Sequence, residues 1–395
     1  MTTIIIIALC VLLLLAYMFD LSSKKTRIPT VILVLALGFG VRRLTDYYDI
    51  DIPNLFALLP FFGTVGLILI VLEGSLELEF NKAKLPVIIK TFWVSLIAIV
   101  FIAVLCALVL HTLEGYDFII ALINVLPLCI ISSAIAIPTA SLLTKKKKEF
   151  IVYESSLSDI IGVLLFNFFA ANTLMTVGAV GKFFLDIGLM IVLSLLATIL
   201  LAFLLQRLNH HVKFIPIIIL AILVYEIAKI LHLPSLLFIL IFGLFLGNLD
   251  EVKHIKFLKK LKPEILNKEV HMFRDVAMEA TFIIRTLFFL LFGFFMEPKE
   301  IFNEETFVWA IGICFLIYLS RFFLLKFSGQ QLKPLIYIAP RGLITILLFI
   351  AIPSENQVSI INKSLIVQVI IITALIMMIG MMTNKEKKQK EPLPE

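Results

Sequence analysis

Charge is what this chain has least of. Asp, Glu, Lys and Arg make up only 16% of its 395 residues, 61% are hydrophobic, and the mean hydropathy is +1.09. A water-soluble domain carries about a quarter charged and about half apolar residues. A core of this size cannot hide such an excess, so a soluble enzyme is excluded. Cysteine is scarce too. Cys10, Cys106, Cys129 and Cys314 each sit inside an apolar run with no CxxC spacing, so they read as small hydrophobes, not as metal ligands or disulfides. Of six histidines, His210, His211, His254 and His271 fall in polar connections, so neither a metal cluster nor any cofactor is expected. A membrane enzyme would need large loops bearing His or acidic catalysts, and the outer loops are short and almost free of histidine. The net charge of +6 does not point to nucleic acid either, because the basic residues follow a topological pattern.

What is present is apolar sequence in span-length pieces. A bilayer-crossing helix needs roughly 17–25 predominantly apolar residues. Thirteen segments meet or approach this: 3–19, 28–43, 56–76, 85–111, 118–143, 149–174, 183–206, 214–231, 234–249, 273–296, 305–326, 333–353 and 364–383. The first has no positive residue before it and Lys24, Lys25 and Arg27 after it. That is the reverse of a cleaved signal, so a retained helix is expected. Alternate connections hold twenty-three basic residues on one side and five (Arg42, Arg43, Lys182, Lys299, Lys363) on the other. Positive residues mark the cytoplasmic face, which predicts the N-terminus outside and the C-terminus in the cytoplasm of a cell inner membrane. Residues 250–272 read as a basic helical connector, and 384–395 as a cytoplasmic tail.

Two triplets of spans, 85–174 and 305–383, begin on opposite sides of the membrane, and the middle member of each is interrupted. One carries Pro127 and Pro138 around Ser132-Ser133; the other carries Pro334 and Pro340-Arg341-Gly342. Proline removes a backbone donor and frees a carbonyl, and open backbone at membrane depth survives only inside protein or beside a cavity. Paired interruptions in two inverted halves point to a transport site at the midplane. The fold expected is an all-α polytopic membrane protein of about thirteen helices, an inverted repeat whose two broken helices cross in a core.

Ionisable residues at membrane depth are functional candidates. Asp159 lies about ten residues into its span, roughly 15 Å along the helix axis, with Ser155 four residues earlier on the same side. A carboxylate in a wet cavity holds a cation or a proton but not both, since removal from water favours the neutral form and a bound cation the charged one. Competition at one site seen from alternate faces gives exchange. Glu154 points about 140° away from Asp159 around the helix, and Arg321 is its expected partner in a structural pair. Arg341 follows Pro340 and is placed to balance the ends of broken helices. Glu73, near an inner helix end, and Arg285, opening an aromatic run, are weaker candidates. Glu226 and Lys229 are spaced to pair on one helix face.

These residues resemble the monovalent cation–proton antiporters of the sodium/hydrogen exchanger superfamily, including its bacterial NhaP and Kef-like transporters. Glu154-Ser-Ser-Leu-Ser-Asp159 resembles the family's Glu-Ser-x-x-Asn-Asp motif, Ala339-Pro340-Arg341-Gly342-Leu343 its Arg-Gly segment, and Tyr318-Leu-Ser-Arg321 the segment with the arginine that pairs with the motif glutamate. Leu72-Glu73-Gly74-Ser75-Leu76 and Phe288-Phe-Leu-Leu-Phe-Gly293 match in kind. Ser158 stands where the electroneutral branch has asparagine, and Ser132-Ser133-Ala134-Ile135-Ala136 looks like the potassium-efflux branch.

The resemblance implies alternating access, a homodimer, and ion binding at Asp159, with Ser158, Ser155 and Ser133 as further ion-binding candidates. It also implies scaffold helices at 1–84, a core built from 85–174 and 273–383, and dimerisation or scaffold helices with the connector at 175–272. The function expected is exchange of Na+, K+ or Li+ for H+ with membrane lipid as surroundings; the alternative is a sodium-coupled symporter of an organic anion, for which Arg341 or Arg285 would supply the anion ligand.

Overall fold

In a computed structural model of the chain, residues 2–26, 28–50, 55, 57–78, 83–172, 177–207, 212–231, 233–249 and 263–384 are described, and they contain helices and no strand. In chain order the helices are α1 (Thr2–Thr26), α2 (Thr30–Tyr47), α3 (Leu58–Glu77), α4 (Leu85–Glu114), α5 (Phe118–Cys129), α6 (Ser133–Ala140), α7 (Lys145–Ala171), α8 (Val177–Arg207), α9 (Phe214–Ile230) and α10 (Ser235–Gly247). They continue with α11 (Pro263–Phe294), the single turn α12 (Pro298–Ile301), α13 (Glu304–Phe327), α14 (Leu343–Ile350) and α15 (Lys363–Thr383). Among the described residues eight helical segments are long and apolar enough to cross a membrane, Phe118–Ala140 counting as one across its interruption. The chain is an integral membrane protein.

Helix ends follow local chemistry. Gly115 closes α4 in the left-handed conformation (φ 75°), which costs a residue without Cβ little, and its N–H donates to His111 O. Asp117, Asn303 and Asn362 cap α5, α13 and α15 through side-chain oxygens that accept otherwise unpaired backbone N–H groups. The helix that holds the span expected at 273–296 begins at Pro263, so 263–272, expected as part of a helical connector, are helical and run straight into it as the first turns of α11; the rest of that connector, 250–262, lies outside the described residues. Proline suits a first helical turn, and a polar sequence such as Glu264 to Arg274 lets the helix run on beyond the apolar part. Lys213 at the start of α9 pairs there with Glu269.

The helices form two packing groups. In one, α4, α5, α6, α7, α13, α14 and α15 surround the interrupted segments; in the other, α2, α3, α8, α9, α10 and α11 pack together, with α1 against α2. Residues 273–294, expected with the second half of the core, pack chiefly on α2 and α3. The reason is local: Gly38 of α2 lies against the backbone of Leu290, and Gly293 of α11 against that of Leu35. A side chain at either position would hold the two backbones apart. Such close approach is what stabilises helix pairs in lipid, where apolar burial alone supplies little driving force. The groups meet where α3 touches α6, α7 and α14. Outward faces such as Phe184, Leu185, Leu196 and Leu200 of α8 are exposed and apolar, as a lipid-facing surface requires.

Candidate functional site

The two interruptions cross at the centre of the first group. After α5, residues Ile130 to Ser132 leave the helix before α6 restarts at Ser133. Opposite them, a short 3₁₀ turn (Leu335–Tyr337) gives way to extended backbone through Gly342 before α14. The crossing is held by Ser132 N–H, which donates to Pro340 O at 2.9 Å. A Cβ on Gly342 would stand 3.0 Å from Ser132 Oγ and 2.7 Å from the tip of the Ile135 side chain, so a larger residue here would make both side chains shift. Gly162 of α7 plays the same part on the other side, where a Cβ would run into the Ile130 side chain.

Three successive backbone donors at the first interruption find partners. Ile131 N–H donates to Ser158 Oγ at 3.0 Å, Ser132 N–H to Pro340 O, and Ser133 N–H to Asp159 Oδ2 at 3.3 Å. Asp159 is fully buried, and its other oxygen, Oδ1, has no hydrogen-bond partner among the described residues. The carboxylate thus sits at the N-terminal end of α6, where the helix dipole places positive partial charge. The C-terminal end of α5 carries the opposite partial charge and is met by Arg341. Its Nε donates to Leu128 O at 2.7 Å, Nη2 to Cys129 O at 3.2 Å and Nη1 to Ala339 O at 2.9 Å, and its backbone N–H donates to Thr373 Oγ1 at 3.1 Å. Arg341 is 1% exposed, so it does not snorkel to an interface.

Glu154 and Arg321 form a bidentate pair at 2.9 and 3.0 Å, with side chains 2% and 5% exposed. Arg321 Nε also donates to Leu335 O at 2.8 Å, tying the pair to the second interruption.

Ser155, four residues before Asp159, is fully buried, and its hydroxyl donates within its own helix to Val152 O at 3.4 Å. Ser158 serves as an acceptor for the first interruption, and Ser133 reaches Asp159 through its backbone amide. Glu73 is half-buried on α3, with Thr281 and Arg285 of α11 as its neighbours. Glu226 and Lys229 pair at 3.9 Å on an exposed face of α9. His210, His211 and His254 lie outside the described residues. A crevice between α6 and the other group is lined by Ser23, Thr30, Ala134, Ile135, Thr139 and Arg285, and so reaches the residues that follow Ser133. The sequence reading passed over Gly162 and Thr373, whose roles depend on partners in distant segments and leave no local mark.

Residues 9–384 match the family described as sodium/hydrogen exchanger, transmembrane. The fold is similar to two structures of the sodium proton antiporter MjNhaP1 from Methanocaldococcus jannaschii. One, at pH 8, matches with a TM-score of 0.70 at 17% identity over 95% of this chain and 99% of that one. The other, from electron microscopy, matches with a TM-score of 0.69 at 17% identity over 96% of this chain and 95% of that one. At this identity the likeness is one of fold. No curated protein matches the chain.

Proposed function

Because the chain belongs to the sodium/hydrogen exchanger family, we propose that it is a secondary active antiporter that exchanges a monovalent cation, Na+ or in its place K+ or Li+, for H+. The observation that carries this reading is Asp159, fully buried where two interrupted helices cross, with one carboxylate oxygen held by Ser133 N–H and the other without a partner among the described residues. A bound cation and a proton compete for that carboxylate, so each displaces the other as the site is offered to alternate sides of the membrane. A single carboxylate at this position favours one-for-one exchange. Glu154–Arg321 and Arg341 have the role of keeping charge tolerable at depth around the site, with no part in binding the ion.

The wider setting belongs to the same proposal. The first packing group acts as the core and the second as the scaffold of a homodimer. The basic connections put the N-terminus outside and the C-terminus in the cytoplasm of an inner membrane. A symporter of an organic anion would need a guanidinium free to bind the substrate. Arg341 is spent on three backbone carbonyls, which weighs against that alternative.

The test uses inverted membrane vesicles with a respiration-driven pH gradient and a fluorescent pH probe. Addition of Na+, Li+ or K+ is expected to restore fluorescence with the wild type and not with Asp159→Asn. Asparagine keeps an oxygen for Ser133 N–H, so this variant should fold. Full exchange by Asp159→Asn would remove the central claim, and silence of the wild type towards every cation would redirect the search to labelled organic anions.

A further inference from the structure

Asn124 is a polar residue in the apolar run Ile119 to Leu128, and it is fully buried. Every hydrogen-bonding group of its side chain is engaged. Nδ2 donates to Ile120 O at 2.9 Å within α5 and to Asn356 O at 2.6 Å, while Oδ1 accepts from Val358 N–H at 3.1 Å. Asn356 and Val358 belong to the connection between α14 and α15, more than two hundred residues away in sequence. That connection is packed down, Val358 and Ile361 being 1% and 2% exposed. Tyr116 Oη bonds Ser359 Oγ at 2.7 Å beside it.

We propose that Asn124 is a positioning residue for ion exchange: by clasping the α14–α15 connection it fixes the second interrupted helix lengthwise against the first, and so fixes the first interruption, whose Ser133 N–H holds Asp159. The proposal rests on the exchange reading given above.

The argument is geometric. α5 is fastened to the segment from Pro340 to α15 at three heights. Asn124 holds its outer part, Leu128 and Cys129 carbonyls receive Arg341, and Ser132 N–H bonds Pro340 O. The last two lie at the crossing itself. Asn124 lies eight residues before Ser132, about 12 Å along a helix, and so provides the leverage that resists tilting and sliding. Only a side chain that donates and accepts at once satisfies both Asn356 O and Val358 N–H. An apolar replacement leaves both unpaired, Val358 N–H in buried surroundings, which costs more than a mere loss of contact.

Two readouts test this. Hydrogen–deuterium exchange of the solubilised protein, wild type against Asn124→Leu, follows the amides of 356–358 and those of 131–133. The expected result is several-fold faster exchange in both segments, because Ser132 N–H donates across the crossing to Pro340 O and the amides of Ile131 and Ser133 flank it in the same turn. Faster exchange confined to 356–358 would overturn the proposal and leave Asn124 a local staple. In the vesicle assay Asn124→Leu is expected to raise the apparent KM for the transported cation several-fold with a smaller change in maximal rate; an unchanged KM would also overturn it. Asn124→Ser, whose single hydroxyl sits one bond nearer the backbone and so cannot span both partners as the amide does, should fall between wild type and leucine in both readouts, and it stands in if the leucine variant does not fold. Should the wild type exchange no cation at all, the antiport reading fails, while the amide readout still decides the clasp.

Discussion

At the scale of single residues, the interior charges are arranged by what each can be paired with. The Glu154–Arg321 pair is buried, bidentate and further bonded to Leu335 O. Removing one partner of such a pair strands the other charge, at a cost of about 3–5 kcal/mol. Glu154→Ala is therefore expected to lower the melting temperature of the solubilised protein more than it lowers turnover. An unchanged melt with lost transport would make Glu154 an ion ligand instead. Removing both charges, in Glu154→Leu with Arg321→Met, should cost less than the two single changes together, because no buried charge remains alone. The pair was legible from sequence because Glu154 and Asp159 share a helix and cannot face the same way. The part of Ser158 was not: its hydroxyl serves Ile131 N–H, a partner twenty-seven positions away that periodicity does not reveal.

At the scale of elements, the two halves of the first interrupted helix present opposed dipole ends, each met by an ionisable residue. Asp159 lies at the N-terminal end of α6, and Arg341 at the C-terminal end of α5. Where the two interrupted helices cross, Gly342 lies close against the side chains of Ser132 and Ile135. Gly342→Val is expected to push the second interruption off the first and abolish cation-dependent fluorescence recovery. The membrane content of the variant, read on an immunoblot, should fall far less. Wild-type exchange in that variant would mean that the close approach is not needed. The prolines announced both interruptions in advance, since each removes a donor and weakens a helix. What they did not announce is where the partners lie: Ser132 N–H bonds Pro340 O of the other interruption, while Ile131 and Ser133 N–H turn to Ser158 and Asp159 of α7, which sequence spacing cannot encode.

At the scale of the whole molecule, the proposed orientation rests on twenty-three basic residues in one set of connections against five in the other. It predicts opposite labelling of two exposed positions in a variant whose four native cysteines are replaced. Phe302→Cys, before α13, should react with a membrane-impermeant maleimide in intact cells. Gln331→Cys, after α13, should react only once the cells are opened. The reverse pattern would invert the topology and with it the direction of transport assigned to each face.

Composition, span-length apolar runs, charge asymmetry, paired prolines and the Glu-x4-Asp spacing were enough to determine an all-helical membrane protein and to single out Asp159 as the carboxylate proposed for the ion. These are properties of local sequence, since hydropathy and helical period act over a few turns and the bilayer selects for them directly. The tertiary structure alone decided which segments meet. It put residues 273–294 against α2 and α3, with close glycine contacts to α2, set Ser158 facing the first interruption, brought Arg341 onto the end of α5, and joined Asn124 to a connection beyond α14. A buried polar group must find a partner, but the need is written in one residue and the partner in another far along the chain, so only the folded arrangement names it.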